Sequence, residues 1–371
     1  MIDAIEKTLT LIFLIGLGIA LRKKIKNKSE IQGLKEVILS VALPATVFIA
    51  LMGIKMSLSL LIYPIILVCF NFFIFLSAPY FLPFFGIAKG TPASRTLTML
   101  LPSLAPGLSS FPFISEFLGG ESLALAAMAD VGNKFFALNF LYYISLKMHM
   151  AIQQEGTIRN KKGMKDFLWS LIKEPINVIM LLAIVFLSMG FHMSTLPLVI
   201  QEIFSRASTL MGPLVLIYIG MAVEIREGKE IKMILSILFF RAGISLLFSL
   251  LVILVWGIHD PNMILLSVVV PLSACSFWPF AHISAIHHKE ELNEVSENRK
   301  TFDANLALLT LAISLPLSTI LVIGVLASGQ TFAETSNLGL LSLTLMGASI
   351  IPNLKAFKKV KATWRNFKEA H

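Results

Sequence analysis

Polar residues in this chain come in short bursts that separate long apolar runs. The runs occupy residues 8–21, 37–53, 58–85, 93–118, 122–146, 175–191, 196–222, 231–258, 263–286, 302–326 and 338–351, numbered here as segments 1 to 11. A helix needs about 20 apolar residues to cross the hydrocarbon of a bilayer, and most runs meet that length. The first and last are short for a span. A soluble domain could not hide so many unbroken runs, so the pattern predicts an all-α membrane protein.

Two segments cannot be straight helices. Segment 4 carries Pro102, Pro106 and Pro112, and segment 9 carries Pro271 and Pro279. A proline inside a helix removes a donor and clashes with the carbonyl four residues back, at a cost of about 3 kcal/mol. Hydrocarbon offers no water to repair the break, which persists only where it is buried in protein or lines a wet cavity. The two broken stretches also read alike. PGLSSFPF (106–113) lies over SACSFWPF (273–280), with Ser109 over Ser276, Phe111 over Trp278 and Pro112 over Pro279. A matched pair of interrupted segments in two halves of a membrane protein points to a transporter's binding site. The expected substrate contacts are therefore Pro106, Gly107, Ser109, Ser110 and Pro112 in the first window, and Cys275, Ser276 and Pro279 in the second. Ser109 and Ser276 have two readings, as donors to an anion or as partners of a backbone carbonyl.

Composition agrees with the pattern: 56% of the residues are hydrophobic, 14% are charged, and the mean hydropathy is +0.81. The net charge of +9 lies in loops and not on one amphipathic face, so it speaks for orientation in a bilayer and not for nucleic acid. Arg22, Lys23, Lys24, Lys26 and Lys28 follow segment 1; Arg159, Lys161, Lys162 and Lys165 follow segment 5; Arg226 with Lys229 and Arg299 with Lys300 follow segments 7 and 9. Lys355, Lys358, Lys359, Lys361 and Arg365 follow segment 11. Alternation places all of these on one side, with Lys55 the exception opposite. The expected topology is multi-pass with the N-terminus outside and the C-terminus cytoplasmic, in the cytoplasmic (inner) membrane if the source is bacterial; eleven segments satisfy it and ten do not. The start, MIDAIEKTLTLIF, lacks the features of a cleaved signal and is expected to remain as a helix. Cys69 and Cys275 both fall in apolar runs and form no disulfide framework or zinc pattern.

The basic loop divides the chain into a first repeat (1–147), the loop itself (148–173), a second repeat (174–327), and a short eleventh helix with a basic tail (328–371). Each repeat holds five helices, an odd number, so the second lies upside down relative to the first. Segments 4 and 9 are then the broken helices that cross near the midplane.

Four stretches give this order a likeness. FLGGESLALAAMAD (117–130), VALPATVF (41–48), LVLIYIGMAVE (214–224) and AISLPLS (312–318) resemble recurring pieces of the auxin efflux carrier family, part of the bile/arsenite/riboflavin transporter superfamily. The resemblance covers most of residues 1–326. It implies two inverted five-helix repeats divided between a scaffold and a transport part, dimerisation through the scaffold helices, and movement of small organic anions such as auxin or dicarboxylates. The chain departs from the family at the crossing. Leu104 and Ala105 stand where Gly-Asn is usual, Cys275 stands where an Asn is expected, and segment 11 is additional.

The remaining chemistry lies in charges inside apolar segments, which are costly and default to functional candidates. Asp130 and Lys134 are four apart on segment 5, close enough to pair, with Asn133 between them. Asp130 is expected to couple transport to a proton, its charge sensed by Lys134 or Arg241; a structural ion pair is the alternative. Asp303 and Asn305 are expected to be the corresponding pair of the second repeat. Arg241, alone in apolar segment 8, either clamps a substrate carboxylate or snorkels to the interface. Glu202 and Arg206 read as a structural pair. His282, His287 and His288 lack partners at ligand spacing, and no ATP-binding motif occurs, so neither a metal, a cofactor nor an enzyme is expected. The expected function is secondary-active or facilitative transport of a small organic anion by alternating access, driven by a proton or sodium gradient or by none. The alternatives are a sodium-coupled symporter of the bile acid type and a sensor that keeps a transporter fold without moving solute.

Overall fold

The structure, a computed structural model, describes residues 2–25, 27–53, 60, 62–153, 175–222, 228–296 and 299–351. Most of the basic loop of 148–173 and the tail after 351 lie outside the described residues, as do Lys26, Lys55 and Arg226. The chain opens with α1 (Ile2–Leu21), α2 (Lys28–Val37) and α3 (Leu43–Met52), the last two joined by a π-helical turn over Ile38–Ala42. Then come α4 (Ile62–Phe81), α5 (Pro92–Leu100), α6 (Pro106–Ser109), α7 (Phe111–Phe135) and α8 (Leu141–Gln153), with a second π-helical turn, Phe136–Phe140, before α8. The rest comprises α9 (Pro175–Ser188), α10 (Leu198–Thr209), α11 (Met211–Ala222), α12 (Lys229–Trp256), α13 (Pro261–Val269), α14 (Phe277–Leu292), α15 (Ala304–Ala327) and α16 (Thr335–Ile350). No strand occurs among the described residues.

Among the described residues, six stretches are long and apolar enough to cross a membrane: Ser29–Met52, Ile62–Phe85, Phe111–Gln153, Leu198–Met221, Glu230–Trp256 and Ala304–Ala327. Segment 9 is not among them, and of segment 4 only its second half, 111–118, is included, run on into segment 5; both segments are divided. Their first halves, α5 and α13, are nine residues long and begin and end alike. Thr91 and Asp260 cap them by accepting from the amides of Ser94 and Met263, and Pro92 and Pro261 occupy the first helical position. Both stop two residues before a proline, Pro102 or Pro271, as the clash with the preceding turn requires. Gly119, at φ 83° and ψ 179°, separates the second half of segment 4 from segment 5 inside α7. That region of backbone space is open in effect to glycine alone.

Tight helix contacts run through glycines. A Cβ on Gly220 of α11 would lie 2.0 Å from the Ile15 carbonyl oxygen of α1, and one on Gly132 of α7 would lie 2.1 Å from that of Pro64 of α4. On α12, Gly243 faces α16, and its carbonyl accepts from Ser342 Oγ at 2.8 Å. α3 packs on α9 and α10, where Phe48 stacks on Phe204 with centroids 4.2 Å apart. Two groups result: α1–α3 with α9–α11, and α4–α8 with α12–α16. The breaks lie within the second group and face the first.

Candidate functional site

The two breaks, 101–105 and 270–276, meet and satisfy one another. Ala105 N donates to the Ala274 carbonyl at 2.8 Å. Ala274 N donates to Ser109 Oγ (2.9 Å), Ser276 N to Ser103 Oγ (3.2 Å) and Cys275 N to Ser314 Oγ of α15 (3.2 Å). The hydroxyls of Ser110 and Ser273 lie 2.7 Å apart. A buried backbone group left without a partner costs about 1–3 kcal/mol, and these bonds remove that cost.

Two residues finish the task. Asn133 treats Leu104 as a strand neighbour would: its Oδ1 accepts from Leu104 N at 3.0 Å and its Nδ2 donates to the Leu104 carbonyl at 2.9 Å. Arg241, 3% exposed, donates from Nε to the Leu101 carbonyl (2.6 Å), from Nη1 to that of Ser273 (3.0 Å) and from Nη2 to that of Ser103 (3.4 Å). It therefore neither snorkels nor projects into open space for a substrate carboxylate.

Beside the joined breaks lies a cavity of about 680 Å³. Residues 104–108 and 274–278 form its floor, α2 and α3 with Tyr218 of α11 form one wall, and α15 forms the other. From the middle and second half of α2, Gln32, Lys35 and Glu36 line it. Lys35 Nζ sits 4.5 Å from the centroid of Phe277, a contact between the two helix groups, and Glu36 accepts from Ser40 Oγ at 2.6 Å. Deeper in, Asp130, Asn133 and Lys134 reach the lining from α7. Lys134 Nζ is 3.8 Å from Asp130 Oδ2, both side chains are buried, and Asp130 Oδ1 accepts from Asn133 Nδ2 at 2.7 Å. A carboxylate, an amide and a break in the backbone are thus connected in one chain of contacts.

Of the residues expected from sequence, Pro106, Gly107, Cys275, Ser276, Asp130, Asn133 and Lys134 line this cavity. Ser109, Ser110, Pro112, Pro279 and Arg241 lie behind its floor, buried. Both singled-out serines serve the backbone: Ser109 Oγ donates to the Ala105 carbonyl (2.8 Å), and Ser276 Oγ caps α14 by accepting from Trp278 N (3.3 Å). The two windows do not superpose in place. Ser276 caps its half-helix, whereas Ser109 ends the turn that follows the cap residue Ala105.

Asp303 and Asn305 stand apart from the cavity. Asp303 caps α15, accepting from Leu306 N at 2.9 Å, and Asn305 is exposed. The partner of the second break on α15 is Ser314, about three turns beyond Asp303. Asp303 N donates to Thr96 Oγ1 of α5 at 2.9 Å, next to a polar cluster around residues 300 and 301. There Glu290, fully buried, accepts from the Thr301 hydroxyl and lies 3.0 Å from His149 Nδ1, while Arg95 donates to the Lys300 and Thr301 carbonyls. His282 Nε2 lies 3.1 Å from the Ala137 carbonyl in the π-helical turn of segment 5. Glu202 and Arg206 pair at 3.1 Å on the surface of α10. Sequence reasoning missed Ser103, Ser314, Lys35, Glu36 and Tyr218. Lys35 and Glu36 carried a signal, charges at the entry to an apolar segment; the serines carried none. No family model matches the chain, and no curated protein matches it.

Proposed function

We propose that this chain is a transporter of a small organic anion, secondary-active or facilitative, built from two inverted repeats as in the auxin efflux carrier family. The observation that carries the reading is the cavity itself. Its floor is two broken helices joined to each other, and its lining holds the buried pair of Asp130 and Lys134. Helix pairing supports the inverted repeat. α1 lies on α11 as α3 lies on α9, and α5 lies on α15 as α13 lies on α7, the exchanges that a two-fold axis between the repeats requires. In this reading α1–α3 with α9–α11 are the scaffold, through which the protein dimerises, and the crossing unit moves against it. In this topology the basic turn 22–24, which precedes α2, marks the cytoplasmic side.

The first turn of α14 presents the positive end of a helix dipole to the cavity, and Lys134 adds a cation. Protonation of Asp130 would release Lys134 to a substrate carboxylate, which is the coupling step of this proposal. Sodium coupling at the crossing is less well supported, since the carbonyls that could cage a cation are taken by Arg241, Asn133 and Ala105.

The test is a solid-supported-membrane current from reconstituted protein, with a panel of small carboxylates, pH steps and sodium, against an Ala312→Trp variant that fills the cavity from α15. A substrate-dependent signal lost in the variant is the expected result. Absence of both current and isotope flux for every solute, alongside ligand binding by thermal shift, would overturn transport in favour of the sensor.

A further inference from the structure

Arg241 is a buried cation whose three contacts all end on the two breaks. No ion pair among the described residues involves it. Its acceptors explain how it persists there. The Leu101 and Ser103 carbonyls lie just past the C-terminal end of α5, and that of Ser273 just past the end of α13. A helix C-terminus carries roughly half a negative charge, so the two ends together match one guanidinium. The fork of Arg, with donors in fixed directions, spans two carbonyl ends at once, which the point charge of Lys does not.

The acceptors also adjoin the cavity floor. Ser103 precedes Leu104, and Ser273 precedes Ala274 and Cys275, all three of which line it. We propose that Arg241 is the positioning residue that holds the two halves of the floor in register. Through it α12 is fastened to both breaks, and α16 is fastened to α12 two residues further on, at Gly243 and Ser342. The floor, α12 and the additional helix α16 are therefore one body. That this body travels during turnover rests on the transporter reading; that its register depends on Arg241 does not.

The chain supplies its own reporter. It holds two cysteines, and Cys275 lies in the second break, 5% exposed at the cavity. In a Cys69→Ala background, native-state labelling of Cys275 by a maleimide is compared in wild type, Arg241→Met and Arg241→Lys, together with KM for the carboxylate that the wild type moves. Loss of charge-assisted bonds from one side chain is worth roughly tenfold, so Arg241→Met is expected to label about tenfold faster and to raise KM by a similar factor, with Arg241→Lys in between. A lowered melting temperature with labelling and KM within twofold of wild type would show a role in stability alone and overturn the proposal. Should Arg241→Met fail to fold, Arg241→Lys decides on the same two readouts. A wild type with no flux sinks the transporter reading, while the labelling rates still decide the register.

Discussion

Asn133 illustrates how a polar side chain inside a membrane helix is used. It serves a single residue of broken backbone from both sides and also holds the carboxylate of Asp130. Asn133→Ala would orphan the amide and carbonyl of Leu104, at about 1–3 kcal/mol for each, so a fall in melting temperature is expected and thermal unfolding in detergent checks it. Asp130→Asn keeps the size of the side chain and an acceptor for Asn133 but cannot titrate. Under the proposed coupling, flux in this variant is independent of pH across the range in which the wild type responds; an unchanged pH profile would remove Asp130 from the coupling step. The pairing of Asp130 with Lys134 was legible from their spacing on one helix face. The partner of Arg241 was not, since nothing near Arg241 in the chain offers a carbonyl without a helical partner.

At the scale of elements, the most readable features are those set within a turn or two. The caps Thr91 and Asp260, each followed by proline, and the stops before Pro102 and Pro271 fix α5 and α13 by local rules. Gly119 sets the boundary between segments 4 and 5. The π-helical turns were not readable, because an extra residue in a helical turn leaves the apolar pattern nearly unchanged. Glycines at close helix contacts give a direct test. Gly220→Leu drives a side chain into the Ile15 carbonyl of α1, a backbone atom that cannot step aside. Overpacking of this kind costs about 1–3 kcal/mol or more, so a marked loss of folded yield is expected on size-exclusion chromatography. Gly16→Leu, where a Cβ meets nothing within 4 Å, is the control expected to behave as wild type.

For the whole molecule, the division into two helix groups makes a prediction about movement. Lys35 of α2 and Phe277 of α14 meet across the division, whereas Leu250 of α12 and Gly339 of α16 meet within one group. Cysteines at 35 and 277, joined by a short bifunctional thiol reagent in a Cys69→Ala, Cys275→Ala background, are expected to stop flux. The same reagent joining cysteines at 250 and 339 is expected to leave it intact. Flux that survives the first cross-link would argue against relative movement of the groups.

Membrane character, the extents of most helices, the two broken segments and the charged run of segment 5 were determined by the sequence alone. These depend on composition and on steric rules that act over a few residues. The tertiary structure decided which groups repair the breaks and which face the cavity. Arg241 and Leu101 stand 140 residues apart, and Cys275 and Ser314 stand 39 apart. Proline announces that a donor is missing and a helix must break, but the groups that satisfy the freed backbone are chosen by whichever helices pack around it.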